Sequence, residues 1–206
     1  MARTRQTRPP DTEVDTATLI LDIAERLVQR RGFNGFSYAD IAAELGITTA
    51  SLHYHFPGKA ELGASLITRY AARFADALGE IDARAVPAAD KLEAYCAIYR
   101  GVLSEHRMCL CGMLAAEYET LPDPMREAVV AFLDHNLQWL AALLESGRAT
   151  GNLRFADPSD QAARSVVAAL EGAMLVSRPY GDTAVLDSVA DRLVAEFSAR
   201  PRPLDR

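Results

Sequence analysis

The chain has 206 residues, half of them hydrophobic, and a formal net charge of −6, enough apolar material for one substantial core or two modest ones. No apolar run is long enough to cross a bilayer, and Met-Ala-Arg-Thr-Arg-Gln-Thr-Arg at the N-terminus lacks the apolar centre of a signal peptide. Three cysteines make no disulfide framework, so the expectation is a cytoplasmic protein with reduced thiols.

Residues 1–11, with Arg3, Arg5, Arg8 and Pro9-Pro10, read as a disordered basic arm, either a solvated tail or an arm for a minor groove. Asp15 or Thr16 caps a first helix whose Leu19, Ile23, Leu27 and Val28 recur at helical spacing and which stops at Gly32. Phe33 and Phe36 supply a small core beneath the next two helices.

Ser37 and Asp40 form a capping box, opening a short helix with Ile41, Ala42 and Leu45 inward. Gly46 takes the left-handed turn, Ile47 plugs the corner, and Thr48 caps a second short helix with Leu52 and Phe56 inward. Its other side holds Thr49, Ser51, His53, Tyr54 and His55, groups able to bond to bases or phosphates. The pattern is a helix-turn-helix with a reading helix sized for a major groove. Pro57-Gly58 ends it, and Lys59 opens the next helix, where free N–H groups and the helix dipole favour a phosphate. Thr49, Ala50, Ser51 and His53 are expected to face base edges, with Thr48 beside them; Ser37, Tyr54, His55 and Lys59 are expected to hold phosphates.

Over Gly32-Phe33, Phe36-Ser37, Asp40-Ile41-Ala42, Leu45-Gly46-Ile47, Ser51-Leu52, His55-Phe56 and Lys59-Ala60-Glu61-Leu62 the sequence resembles the DNA-binding domain of the TetR family of bacterial transcription regulators. Thr49-Ala50 and His53 depart from it, standing where the family often has lysine with glycine or alanine, and tyrosine. The resemblance implies a three-helix DNA-binding unit joined by a long fourth helix to a helical domain that binds ligand and dimerises.

That fourth helix runs from Lys59 to about Asp82 with Leu62, Leu66, Tyr70, Phe74 and Leu78 in one stripe. Helices follow over roughly 90–105 (Leu92, Tyr95, Tyr99, Val102), 108–119, and from Asp123-Pro124 to Ala149 (Val129, Phe132, Leu133, Leu137, Leu140, Leu144). Asp157-Pro158 starts another through Ala162, Val166, Leu170 and Ala173 to Ser177, and Val185, Leu186, Val189, Leu193 and Phe197 mark the last. No strand pattern or repeat interrupts them, so the fold class is all-α. Its expected parts are the arm 1–11, a helix-turn-helix domain 12–58, a helical effector-binding and dimerisation domain 59–200 and a tail 201–206. Residues 1–59 are electrically balanced and the remainder carries the whole −6.

No Ser-His-Asp order, phosphate loop or zinc spacing is visible, and no cofactor or metal is expected. His53 and His55 diverge on a helix and cannot share a metal in the manner of an i, i+4 pair. A small-molecule effector, apolar or aromatic, is expected among Tyr95, Tyr99, Cys109, Met113, Tyr118, Phe132 and Trp139. An alternative makes Cys109 an electrophile or redox sensor: if the helix included His106, the imidazole or Arg107 would favour the thiolate. The short run from Cys109 to Glu117 is similar to a segment of TetR-family repressors of electrophile-detoxifying reductases. The last two helices are the expected homodimer surface, as the resemblance implies; small residues Ala168, Ala169, Gly172 and Ala173 would let helices approach closely, although packing within the chain explains them almost as well. The expectation is a ligand-responsive homodimeric repressor on a pseudo-palindromic double-stranded operator; a helical enzyme or adaptor is the rival from another class.

Overall fold

The computed structural model describes residues 15–199, and all of its regular elements are helical. The basic arm, the first residues of the expected helix-turn-helix domain and the tail lie outside the described residues. In chain order the helices are α1 (Thr16–Arg31), α2 (Tyr38–Leu45), α3 (Thr49–His55), α4 (Lys59–Asp82), α5 (Ala88–Ser104), α6 (Leu110–Ala116), α7 (Asp123–Ala149), α8 (Ser159–Ser177) and α9 (Ala184–Phe197). Tyr118–Thr120 and Arg178–Tyr180 are single 3-10 turns, and an isolated antiparallel bridge pairs Leu153 with Ser198.

Helices α1 to α3 close over one small core. Ile20, Ala24 and Val28 of α1, Phe33 and Phe36 of the following loop, Ile41 of α2 and Leu52 of α3 are buried together. A seven-residue helix is too short to persist alone in water. Leu52 seats α3, and full burial of one leucine contributes about 1.5–3 kcal/mol.

Helix α4 buries Leu62 against that core and carries Leu66, Tyr70, Phe74 and Leu78, all buried, into the rest of the molecule. At about 1.5 Å per residue its 24 residues form a rod of roughly 36 Å that belongs to both parts. Tyr70, Phe74 and Phe132 of α7 meet with ring centres 5.1 to 6.3 Å apart. Between α5 and α7 the buried Tyr95 hydroxyl donates to Asn136 Oδ1 at 2.9 Å, and Asn136 Nδ2 donates to the Tyr99 hydroxyl at 3.3 Å. These polar groups satisfy one another, as burial requires.

Three local expectations shift. The helix expected over 108–119 is α6 and a 3-10 turn parted at Glu117 (φ −106°, ψ 14°), and it starts late because Cys109 is the cap of α6, its Sγ accepting the Gly112 N–H at 3.4 Å. Pro122 and Pro158, with ψ of 146° and 143°, are the last extended residues before α7 and α8, so α7 already includes Asp123 and α8 begins only at Ser159. In α9 the fully packed positions are Leu186, Ala190 and Val194, while Val185, Val189, Leu193 and Phe197 are half-buried, because the helix packs on α8 and α5 from one side only.

Gly147 lies where α7, the start of α5 and the 150–153 turn converge. A Cβ there would stand 2.5 Å from Leu153 and 2.7 Å from the Cβ of Ala88, which its own helix holds still. Gly147→Val should therefore lower unfolding free energy in urea by about 1–3 kcal/mol without changing the helical spectrum.

Candidate nucleic-acid interface

The turn between α2 and α3 is made by local chemistry. The Asp40 carboxylate accepts the Ser37 hydroxyl at 2.6 Å and the Ser37 N–H at 2.7 Å, and these bonds hold its pKa below the usual carboxylate range. Gly46 ends α2 with φ 68° and ψ 29°, letting the Ile47 N–H close on the Ala42 carbonyl at 3.1 Å. Thr48 Oγ1 then accepts the Ser51 N–H at 3.2 Å, capping α3.

The resulting outer face of α3 is open for most of its length. Thr48, Thr49, Ala50, His53 and Tyr54 are exposed, and Ser51 and His55 are half-buried at its edges. Tyr54 is 85% exposed, its ring and hydroxyl both open to a partner. His53 Nδ1 lies 3.0 Å from the Pro57 carbonyl, an acceptor, so that nitrogen carries the proton. In the neutral ring Nε2 is left as an acceptor, suited to the amino groups of adenine or cytosine in a major groove.

One contributor escaped the sequence reading. Tyr38, the first residue of α2, donates its hydroxyl to the Phe56 carbonyl at 2.9 Å, and its ring packs 4.8 Å from that of His53 at a tilt of 49°. Burial, then the charge of Glu61, pushes the Tyr38 pKa up to about 12, so it stays a donor. No periodic spacing ties residue 38 to residue 53, so only the folded turn reveals the pair.

Lys59 corrects an expectation. Its ammonium is folded inward onto the carbonyls of Phe33 and Phe36 and over both rings, 4.7 and 4.2 Å from their centres, rather than held out for a phosphate. Burial draws its pKa down while Glu117 and Asp40 oppose that shift. Two other cations of this unit are also engaged, Arg26 with Glu44 and Arg31 with Asp40 at 3.6 Å. The reading face is thus built from hydroxyl, imidazole and phenol groups rather than from a basic stripe.

The residues expected to hold an effector do not converge on one cavity. Tyr99 and Cys109 line a chamber of about 10 Å³ with Tyr70, Phe74 and Met174, whereas Phe132 borders an open groove between α4 and α7. Tyr95 is tied to Asn136 and stacked 5.6 Å from Trp139, whose Nε1 donates to Asp82 at 2.8 Å. Met113 lies under Arg178, and Tyr118 faces Arg126.

Cys109 lacks the chemistry of a sensor. It is 4% exposed, and its thiol pKa is pushed well up by burial and by the neighbouring Glu171 carboxyl, to which it is hydrogen-bonded. His106 is exposed and outside α6, and Arg107 pairs with Glu105 and with Gln29 Oε1 at 3.3 Å instead of with the thiol. A buried neutral thiol is a poor nucleophile.

An exposed, capped reading helix on a three-helix unit, followed by an all-helical second part, defines a helix-turn-helix DNA-binding regulator. Residues 20–66 match the family described as bacterial regulatory proteins, tetR family, and residues 88–193 match its tetracyclin repressor-like C-terminal domain. A TetR-family regulator from Agrobacterium tumefaciens is 33% identical, with 88% of this chain and 97% of that one covered and a TM-score of 0.85. The transcriptional regulator AcuR of Cereibacter sphaeroides is 28% identical over 83% of this chain and 81% of its own. The fold is also shared with AibR, solved in complex with isovaleryl coenzyme A and operator DNA, at 21% identity, with 90% and 99% covered and a TM-score of 0.69. The chain belongs to the TetR family and is a transcriptional regulator rather than an enzyme.

Two measurements check the inward Lys59 and the inert Cys109. Lys59→Met leaves two carbonyls without their donor and should lower stability by about 1–2 kcal/mol, while the salt dependence of DNA binding changes little. Iodoacetamide should label Cys109 in the folded chain far more slowly than in urea, read by mass spectrometry of the peptide.

Proposed function

We propose that the protein is a homodimeric repressor that occupies a pseudo-palindromic operator and releases it when a small molecule enters the part that begins at Lys59. Residues 12–58 act as the DNA-binding unit and residues 59–200 as the effector and dimer unit, in the cytoplasm where the operator lies. The observation that carries this is the α3 face, exposed from Thr48 to Ala50 and at His53 and Tyr54. Thr49, Ala50, Ser51 and His53 read base edges; Tyr54 and His55 reach phosphates, and the backbone at the start of α4 takes the role expected of the Lys59 side chain.

A single seven-residue helix makes too few base contacts for useful selectivity, and two copies one helical turn apart, or a multiple of it, multiply them. The surface for pairing is the outer face of α8 and the turn after it. Ala168 and Gly172 are exposed, nothing stands within 4 Å of a Cβ at Gly172, and Leu175, Val176 and Tyr180 are 61, 52 and 72% exposed. Ala173, expected to share that face, packs inside its own chain. Large apolar side chains gathered this way favour a second copy. Effector binding then needs a coupling of about 1–3 kcal/mol to separate the readers from their half-sites.

Fluorescence anisotropy on the DNA upstream of the protein's own coding region tests this, together with sedimentation. The wild type should sediment as a dimer and bind with moderate salt dependence. Leu175→Glu should yield monomers and weaken operator binding by at least about a hundredfold, and Ser51→Ala should shift preference at particular base pairs. A monomeric wild type, or equal binding of random DNA by all three proteins, would refute the proposal.

A further inference from the structure

Between α1, α4 and α5 lies a cleft of about 270 Å³ that, of the residues expected to hold an effector, none lines. Its walls are Tyr70, Phe74, Ala77, Ile98 and Val102, and its rim holds Glu25, Gln29, Arg73 and Arg107. Four of the apolar residues, Tyr70, Phe74, Ile98 and Val102, continue into the small chamber beside Cys109 and Met174. The volume lies just below the usual span for small-molecule sites, roughly 300 to 1,000 Å³, so the occupant must be small.

The rim decides the charge of an occupant. Glu25 is buried and its carboxylate is already shared by Arg69, at 3.2 Å, and Arg73, so it offers nothing to a ligand cation. Arg107 has weaker ties: the neutral Gln29 Oε1 at 3.3 Å and Glu105, whose side chain is 60% exposed. A surface pair of that kind is easily exchanged. A planar carboxylate would meet the guanidinium with two parallel bonds, and an apolar body would lie along Phe74 and Val102.

We propose that this cleft is the effector site and that it takes a small apolar carboxylic acid, its carboxylate on Arg107. The proposal rests on the repressor reading and adds both the ligand class and the place where it acts. Gln29 and Glu25 are on α1 of the DNA-binding unit, whereas Arg73 and Arg107 belong to the second. Next to them the Met108 N–H donates to the Gln29 carbonyl at 3.2 Å. A carboxylate that draws Arg107 from Gln29 therefore loosens α1 from the second unit and frees the reading helix to shift.

The test is isothermal titration of the full chain, without DNA, with hexanoate and benzoate against hexanamide and benzamide. The wild type should bind at least one acid about tenfold or more tighter than its amide. Arg107→Gln should remove that preference, and Ala77→Leu, which fills the cleft without touching the rim, should weaken both members of the pair. Because Arg107 is partly exposed, its variant remains informative if Ala77→Leu does not fold. Acids and amides binding alike, acid binding that survives both substitutions, or no binding by either acid would overturn the proposal. A separate operator titration separates the two readings: DNA binding with indifference to the acids sinks the cleft alone, and acid binding without any DNA binding sinks the repressor.

Discussion

Helix α4 is the constraint on which the molecule is arranged, because one unbroken rod has its first turn beneath the helix-turn-helix and the remainder in the larger bundle, within one continuous apolar cluster. Leu62 is closed under the helix-turn-helix while Leu66, Tyr70, Phe74 and Leu78 are buried in the larger bundle. A continuous hydrogen-bonded helix transmits a tilt at one end to the other with little loss. Neither part can move without the other unless a second tie between them changes.

The second tie is polar and lies at the C-terminal end of α1. The Glu117 carboxylate accepts the N–H groups of Phe33 at 2.5 Å and Asn34 at 3.3 Å, and Asn34 Nδ2 donates to Thr120 at 2.8 Å. Arg178 reaches the Arg30 carbonyl, and Met108 reaches that of Gln29. In the proposed switch, apolar packing through α4 would fix which way the units swing, and exchangeable hydrogen bonds at α1 would set how readily they do. A large well-packed contact together with a small polar one suits a switch whose two states differ by only a few kcal/mol.

Much of the DNA-binding unit was legible in the sequence because its chemistry is local. The Ser37 and Asp40 box, the left-handed Gly46 and the Thr48 cap each act within three or four residues, and helical spacing separated Leu52 from the outer face of α3. What the sequence hid was long-range. Lys59 looked free until Phe33 and Phe36, 26 and 23 residues earlier, turned their carbonyls toward it. Cys109 looked reactive until α6 began after it and Glu171 came to lie against it. Tyr95, Tyr99 and Phe132 are buried on α5 and α7 while Tyr118 falls in a 3-10 turn, because a period of 3.6 says only that a ring points inward, not which neighbour or cavity it meets.

The joint at Gly32 has a consequence for how this regulator can be tuned. Its φ is +83°, and a Cβ there would fall 2.7 Å from the Glu117 carboxylate, so the second unit grips bare main chain. A grip on peptide N–H groups does not depend on which side chains flank it. That grip on Phe33 and Asn34 therefore resides in one acid side chain, and the exposed face of α3 on the same unit can change its residues without altering it.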